Sequence, residues 1–168
     1  MTATEFNREL IPLQQSVFRY ALAILGNEMD AEDATQDSFA KLWTMRDNLD
    51  GLDNLEAYVL RMVRNLCIDR MRAERLHEDK LEEAFADKDE LGPGQREDVK
   101  DMDALVKKLI RQLPEKSRTV IHLRDVEGYE MDEIAAIVGE DVPTLRVRLS
   151  RARKSIREQM IKMMNYGL

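Results

Sequence analysis

Residues 127–154 constrain this chain more than any other stretch. They begin Glu127-Gly128-Tyr129-Glu130-Met131-Asp132-Glu133-Ile134-Ala135-Ala136-Ile137-Val138-Gly139. They continue Glu140-Asp141-Val142-Pro143-Thr144-Leu145-Arg146-Val147-Arg148-Leu149-Ser150-Arg151-Ala152-Arg153-Lys154. The spacing predicts a short helix, a glycine turn and a longer basic helix, which is the layout of a helix-turn-helix whose second helix enters the major groove of DNA. Asp141 suits the N-cap of the second helix. Pro143 is tolerated in its first turn, where its missing N–H would be unpaired anyway. At about 100° per residue, Leu145, Leu149, Ala152 and Ile156 share an arc of about 60° and form a core face. Arg146, Ser150, Arg153 and Arg157 form an exposed flank, and Val147, Arg151 and Lys154 point away from the core. Forked guanidinium donors suit phosphates and guanine edges, and an apolar side chain such as Val147 suits a thymine methyl. A lone basic helix would be most simply a solvated surface; the short helix and Gly139 before it reverse that judgement.

Charge at first argues against DNA, because the 168 residues carry a net −7. The distribution argues otherwise. Residues 1–55 hold 4 basic and 10 acidic side chains, residues 56–76 hold 5 and 3, and residues 77–103 hold 4 and 11. Residues 104–139 are balanced at 6 and 6, and residues 140–168 hold 7 and 3. Two basic segments are thus set apart by acidic ones, which an average conceals. Helix-forming residues dominate, and Gly and Pro are sparse,. No apolar run approaches the roughly 20 residues of a membrane span. The start, Met1-Thr2-Ala3-Thr4-Glu5-Phe6, lacks the basic and apolar regions of a signal peptide. With one cysteine, Cys67, no internal disulfide can form. A cytoplasmic protein without membrane insertion is expected.

Helical spacing of Phe6, Leu10, Leu13, Val17, Tyr20, Ala21 and Ile24 predicts a helix over about residues 4–25, bent at Pro12 and stopped at Gly26-Asn27. Asp30 is the expected cap of a second helix reaching about Arg46. A polar loop, residues 47–54, precedes a third helix capped by Asn54 and spanning about 55–75. On it Leu55, Val59, Met62 and Leu66 form an expected buried stripe. Arg61, Arg64, Asn65, Ile68, Arg72 and Arg75 lie opposite. Residues 77–100 read as an acidic tether, in which Leu91-Gly92-Pro93-Gly94 breaks any helix. Helices then follow from Met102 to about Leu113 and from Glu115 to about Val126. The expected fold is all-α: two small helical domains, 1–76 and 104–168, joined by an acidic linker over 77–103, with the helix-turn-helix in the second.

Two further motifs now join the first. Asp30-Ala31-Glu32-Asp33-Ala34-Thr35-Gln36-Asp37-Ser38-Phe39-Ala40-Lys41-Leu42-Trp43 and Asn65-Leu66-Cys67-Ile68-Asp69-Arg70-Met71-Arg72 precede a C-terminal set. That set is Leu113-Pro114, Arg118, Leu123, Gly128-Tyr129, Glu133-Ile134-Ala135, Gly139, Thr144-Leu145, Arg148-Leu149 and Arg151-Ala152-Arg153. In this order they resemble bacterial RNA polymerase sigma factors of the extracytoplasmic-function group. The first resembles that family's helix that binds core polymerase, the second its promoter −10 helix, and the third its −35-binding domain. Departures are Pro143 and Leu145, where the family often has Gly and Val, Val147 for a small or polar residue, and Tyr58 for Trp.

The resemblance implies a subunit that binds core RNA polymerase and directs promoter-specific initiation. It reads a double-stranded −35 element and captures a single-stranded −10 element. Asp33, Gln36 and Asp37 match the core-binding positions. Asn48, Asn54, Arg61, Arg64, Asn65 and Arg72 match the −10 surface, where a flipped base must regain lost stacking. Thr144, Arg146, Val147, Arg148, Ser150, Arg151, Arg153 and Lys154 match the −35 reader. An anti-sigma partner is expected on the same ground, as is a linker that threads the polymerase's nucleic-acid path. No cofactor, metal spacing or catalytic dyad is visible, so the polymerase is expected to do the catalysis. The reading from a different class is a stand-alone helix-turn-helix regulator binding operator DNA as a dimer. It would leave the second helix, the basic 55–75 helix and the acidic linker without purpose.

Overall fold

The computed structural model describes residues 1–82 and 102–165. Among them every regular element is helical. Helix α1 (Ala3–Glu9) opens on a capping box, in which Thr2 Oγ1 accepts from the Glu5 amide at 3.2 Å and Glu5 returns a bond to the Thr2 amide,. Pro12 cannot donate to an α ladder. It therefore divides the expected single helix: a 3-10 turn, Ile11–Leu13, separates α1 from α2 (Gln14–Leu25). Gly26 ends α2 at φ 73°, a left-handed conformation that suits glycine,. The cap of α3 (Glu28–Thr44) is Asn27, whose Oδ1 accepts from the Asp30 amide at 3.0 Å; Asp30 lies inside the first turn. Helix α3 ends two residues before the expected Arg46, which instead opens a 3-10 turn, Arg46–Asn48. Asn54 caps α4, accepting from the Ala57 amide at 3.0 Å.

Helix α4 runs Leu55–Glu82, seven residues past the expected end at 75. The Gly-Pro break at 91–94, and the tether from 83 to 101, lie outside the described residues. Helices α5 (Met102–Arg111) and α6 (Glu115–Ile121) follow, then a π turn at His122–Val126, where a straight α-helix was expected. In that turn the Glu127 amide donates to the His122 carbonyl, five residues back, at 2.9 Å. The wider loop re-aims the chain before α7 (Met131–Val138) and α8 (Val142–Asn165),.

The fully buried side chains include Leu10, Tyr20, Ile24, Leu42 and Leu60 in the N-terminal half and Leu123, Ile134, Ile137 and Leu145 in the C-terminal half. Each returns about 1.5–3 kcal/mol on burial. They form one contiguous core: α2 and α4 pack on each other and on α3, while α7 packs on α4 and α6 packs on α2.

That arrangement explains a shift in α4. Its sealed positions are Val59, Leu60, Val63 and Cys67, whereas Leu55, Met62 and Leu66 are half-buried. The stripe has turned by about 85° toward the flank of Leu60 and Arg64, because the C-terminal half covers that flank. Burial pushes the Cys67 thiol up to about 12, as befits a small core residue,. Leu145, one of the family departures, has no exposed surface and acts through packing rather than through DNA.

Candidate nucleic-acid interface

The turn between α7 and α8 is set by Gly139, at φ 74° with its amide on the Ala135 carbonyl. Asp141 then starts α8 by accepting from the Thr144 amide at 2.9 Å. Leu145, Leu149 and Ala152 are buried beneath the helix, and Arg146, Val147, Ser150 and Arg151 face outward. A residue with a Cβ at 139 must adopt a disfavoured backbone, and the added methyl would meet Arg61 Nη2 at an ordinary 3.9 Å. Gly139→Ala is therefore expected to cost about 1–2 kcal/mol, mostly as backbone strain. Urea unfolding of the full chain measures it.

The eight residues expected to read duplex DNA are not equally available. Thr144, Arg146, Val147, Ser150 and Arg151 are exposed. Arg148 is half-buried and pairs with Glu140. Arg153 is bidentate with Asp125, its Nε 3.0 Å from Oδ2. Lys154 lies 3.9 Å from Glu158 one turn on. Four side chains thus stand ready with donors or hydroxyls, Val147 supplies an apolar contact, and Arg148 and Arg153 first brace the motif.

The surface expected to capture a single strand is divided more sharply. Asn48, Asn54, Asn65 and Arg72 are exposed, although Asn54 Oδ1 is committed to the α4 cap. Leu49 anchors the 47–54 loop in the core, and Leu52 projects from it. Beside the loop, Trp43 meets Phe6 edge to face at 5.1 Å and carries the Arg46 guanidinium 4.1 Å above its ring,. Arg61 is exposed as well, whereas Arg64 is half-buried. Arg61 lies beside Gly139, and Arg64 Nε is buried without a hydrogen-bond partner. On α3, Asp33, Gln36 and Asp37 share one exposed face. Arg70 of α4 joins its two carboxylates, bonding Asp37 and lying 3.6 Å from Asp33.

Sequence reasoning missed Arg70 in this role, together with the residues that join the halves. Arg19 is bidentate on Glu127, at 2.6 and 3.1 Å across 108 positions of sequence. Arg118 Nη2 donates to the Ile24 carbonyl at 2.8 Å, and the Tyr129 hydroxyl bonds Glu56. Arg118 was visible as part of a motif, but no local pattern could pair it with residue 24.

Two titratable groups share this seam. Burial pushes His122 below its usual value, against the pull of the Glu127 carboxylate 3.4 Å away and with the help of Arg19. The hydrogen bond from Arg19 holds Glu127 below the usual carboxylate range. Tyr20, whose ring lies 6.1 Å from that of His122, completes the surroundings. Both depressed groups bind protons less readily in the folded chain than in the unfolded one. Their contribution is complete above about pH 6.5, the unfolded histidine value, and is lost as pH falls first through the histidine range and then through the carboxylate range. The urea midpoint is expected to drop between pH 7.5 and 5.5, and His122→Phe is expected to flatten that dependence.

Among the described residues, no helix is long and apolar enough to cross a membrane, and no group of three or more His, Cys, Asp or Glu is placed to hold a metal ion. The model of Sigma-70 region 2 matches residues 12–77, and that of Sigma-70, region 4 matches residues 103–156. The ECF RNA polymerase sigma factor SigE of Mycolicibacterium smegmatis is 29% identical over 87% of this chain, which spans 58% of SigE's length. The RNA polymerase sigma factor SigV of Bacillus subtilis is 28% identical over 89% of this chain and 87% of its own. Among solved structures, the sigma factor RpoE of Bartonella quintana, in complex with the anti-sigma factor NepR, aligns with a TM-score of 0.76. It is 26% identical, over 94% of this chain and 98% of that one. A fit to either half alone could not reach that score, so the two chains share the placement of their halves as well as their helices. Two sigma regions in order, on a helix-turn-helix and a basic helix that fit them, make this chain a member of the extracytoplasmic-function group of RNA polymerase sigma factors.

Proposed function

We propose that the chain binds core RNA polymerase through the α3 face of Asp33, Gln36 and Asp37, and directs it to promoters with two reading units. Residues 104–168 engage the −35 duplex through α8. Residues 1–76 capture the −10 strand through the 47–54 loop and α4, and residues 77–103 tether the two. The observation that carries the reading is the α8 face: Thr144, Arg146, Val147, Ser150 and Arg151 stand outward on a helix whose opposite side is sealed in the core. A supporting feature is the net acidity, −7. Nonspecific DNA affinity comes from phosphate neutralisation, so this chain keeps it low until the polymerase supplies the rest. It takes no catalytic part, and it works in the cytoplasm, where its polymerase is. An anti-sigma factor is its expected regulator, by analogy with RpoE and NepR.

Run-off transcription tests the reading. With core enzyme the chain is expected to yield a transcript from one defined start, and without core it should shift no duplex specifically. A stand-alone operator-binding dimer would instead shift a palindromic duplex unaided. Failure to co-purify with core polymerase would sink the assignment.

A further inference from the structure

We infer that Arg70 is a positioning residue of the α3 docking face: reaching across from α4, it holds Asp33 and Asp37 as one preset acceptor for a cationic surface of core polymerase. This deepens the function proposed above and rests on it for the partner. The bridge itself is made by contacts within the chain.

Asp33 and Asp37 stand one turn apart on α3, and like charges at that spacing repel. Arg70 removes the conflict. Its Nη2 donates to Asp37 Oδ2, and its Nη1 lies 3.6 Å from Asp33 Oδ2. Spanning two carboxylates suits a planar fork of donors better than a compact ammonium. The three side chains are layered: Arg70 is 28% exposed, against 72% for Asp33 and 58% for Asp37. The cation lies beneath and the carboxylates stand above it. Each meets Arg70 through Oδ2, and a carboxylate has about four lone-pair sites, so acceptor capacity remains for a donor arriving from outside. The helices do not need this bridge to stay together. Ala34, Ser38 and Leu42 on α3, and Val63 and Cys67 on α4, have no exposed surface, and the two helices pack on each other. On the inner side of α3, Thr35 Oγ1 donates to the Ala31 carbonyl and Ser38 Oγ to the Ala34 carbonyl, each at 2.7 Å. The backbone under the docking face is thus seated on the core. What stays free is the torsions of the two aspartate side chains, and Arg70 sets them. Groups fixed before binding lose less freedom on binding. Charge works the other way, because Arg70 offsets one of the two negative charges and weakens the pull on a distant cation. Exposed charges of this kind are screened by salt and act on the rate of encounter more than on the lifetime of the complex. Removing Arg70 therefore has opposite effects on two different rates.

The test uses the full chain and core polymerase, with association and dissociation followed separately at low and high salt. The variants are Arg70→Ala, Arg70→Lys, Asp33→Asn with Asp37→Asn, and that pair combined with Arg70→Ala. Circular dichroism and the urea midpoint confirm that each is folded. Arg70→Ala is expected to weaken core affinity about 5–20-fold, through faster dissociation, as two side chains must now be ordered on binding. Its association at low salt should be as fast as the wild type or faster. A loss of folded protein alone would lower the active fraction and leave dissociation unchanged. Arg70→Lys keeps the charge without the fork and should stay at least about 3-fold weaker than the wild type. In the background of Asp33→Asn with Asp37→Asn, adding Arg70→Ala should change affinity less than about 2-fold, since nothing is left to position. Wild-type affinity in Arg70→Lys, tighter binding by Arg70→Ala, or an equal loss in both backgrounds overturns the inference while α3 stays in the interface. If Asp33→Asn with Asp37→Asn leaves core affinity unchanged, the docking assignment itself fails and the inference falls with it.

Discussion

Reversing two charges on α3, with Asp33→Lys and Asp37→Lys together, is expected to weaken binding to core polymerase at least about 100-fold, the equivalent of roughly 3 kcal/mol. Both carboxylates are exposed and share a face with Gln36, so nothing in the core responds to the change. Two interfacial attractions would become two repulsions, and like charges across an interface cost several kcal/mol. Arg70 complicates the free chain. It spans the two carboxylates, and with lysines on either side it would face like charges. The loss of these exposed pairs is worth about 0–1 kcal/mol in stability, too little to account for a 100-fold change in binding. The measurement is core affinity by competition, with the urea midpoint as a control on folding. Unchanged core affinity would remove α3 from the interface.

The second large effect is expected on α8. Arg146→Ala with Arg151→Ala should weaken −35 recognition by about 1–3 kcal/mol for each arginine, if each makes a bidentate base contact. These two guanidinium groups are exposed, and neither has an ion-pair partner among the described residues. Arg148 and Arg153 make a built-in comparison, since Glu140 and Asp125 already hold them. Replacing that pair is expected to lower stability more than it relaxes base preference. Selection of −35 variants by reconstituted holoenzyme separates these outcomes. A uniform loss across all sequences would assign Arg146 and Arg151 to phosphates instead.

Much of this fold was legible because it is local. The helix-turn-helix follows from the 3.6-residue period, one glycine and one aspartate cap, all within 30 residues of sequence. Helix ends were read less well, since Asn27 and Asp30 are both good caps and only packing chooses between them. The π turn left no signal in the residues around His122. What the sequence could not reveal was the meeting of the two halves. Arg19 and Glu127 are ordinary surface residues until a fold brings them to 2.6 Å. The same blindness affected the candidate site: the period puts Arg61 and Arg64 on one basic face, yet Arg61 stays exposed while Arg64 is half-buried with its Nε enclosed. Conversely, Arg70 drew no notice because its partners Asp33 and Asp37 sit on a different helix.

The contiguous core has a consequence for engineering. Sequence suggests interchangeable modules, and a natural way to alter promoter choice would be to graft a foreign 104–168 onto residues 1–103. The join, however, is a surface as well as a point in the chain. A graft without equivalents of Arg118, Glu127 and Tyr129 would leave Arg19, Glu56 and the Ile24 carbonyl facing strangers, and would expose apolar positions that α6 and α7 now cover. Transplanting only the outward residues of α8 keeps those partners in place, so the proposed recognition surface of five side chains can be exchanged while the molecule that carries them stays whole.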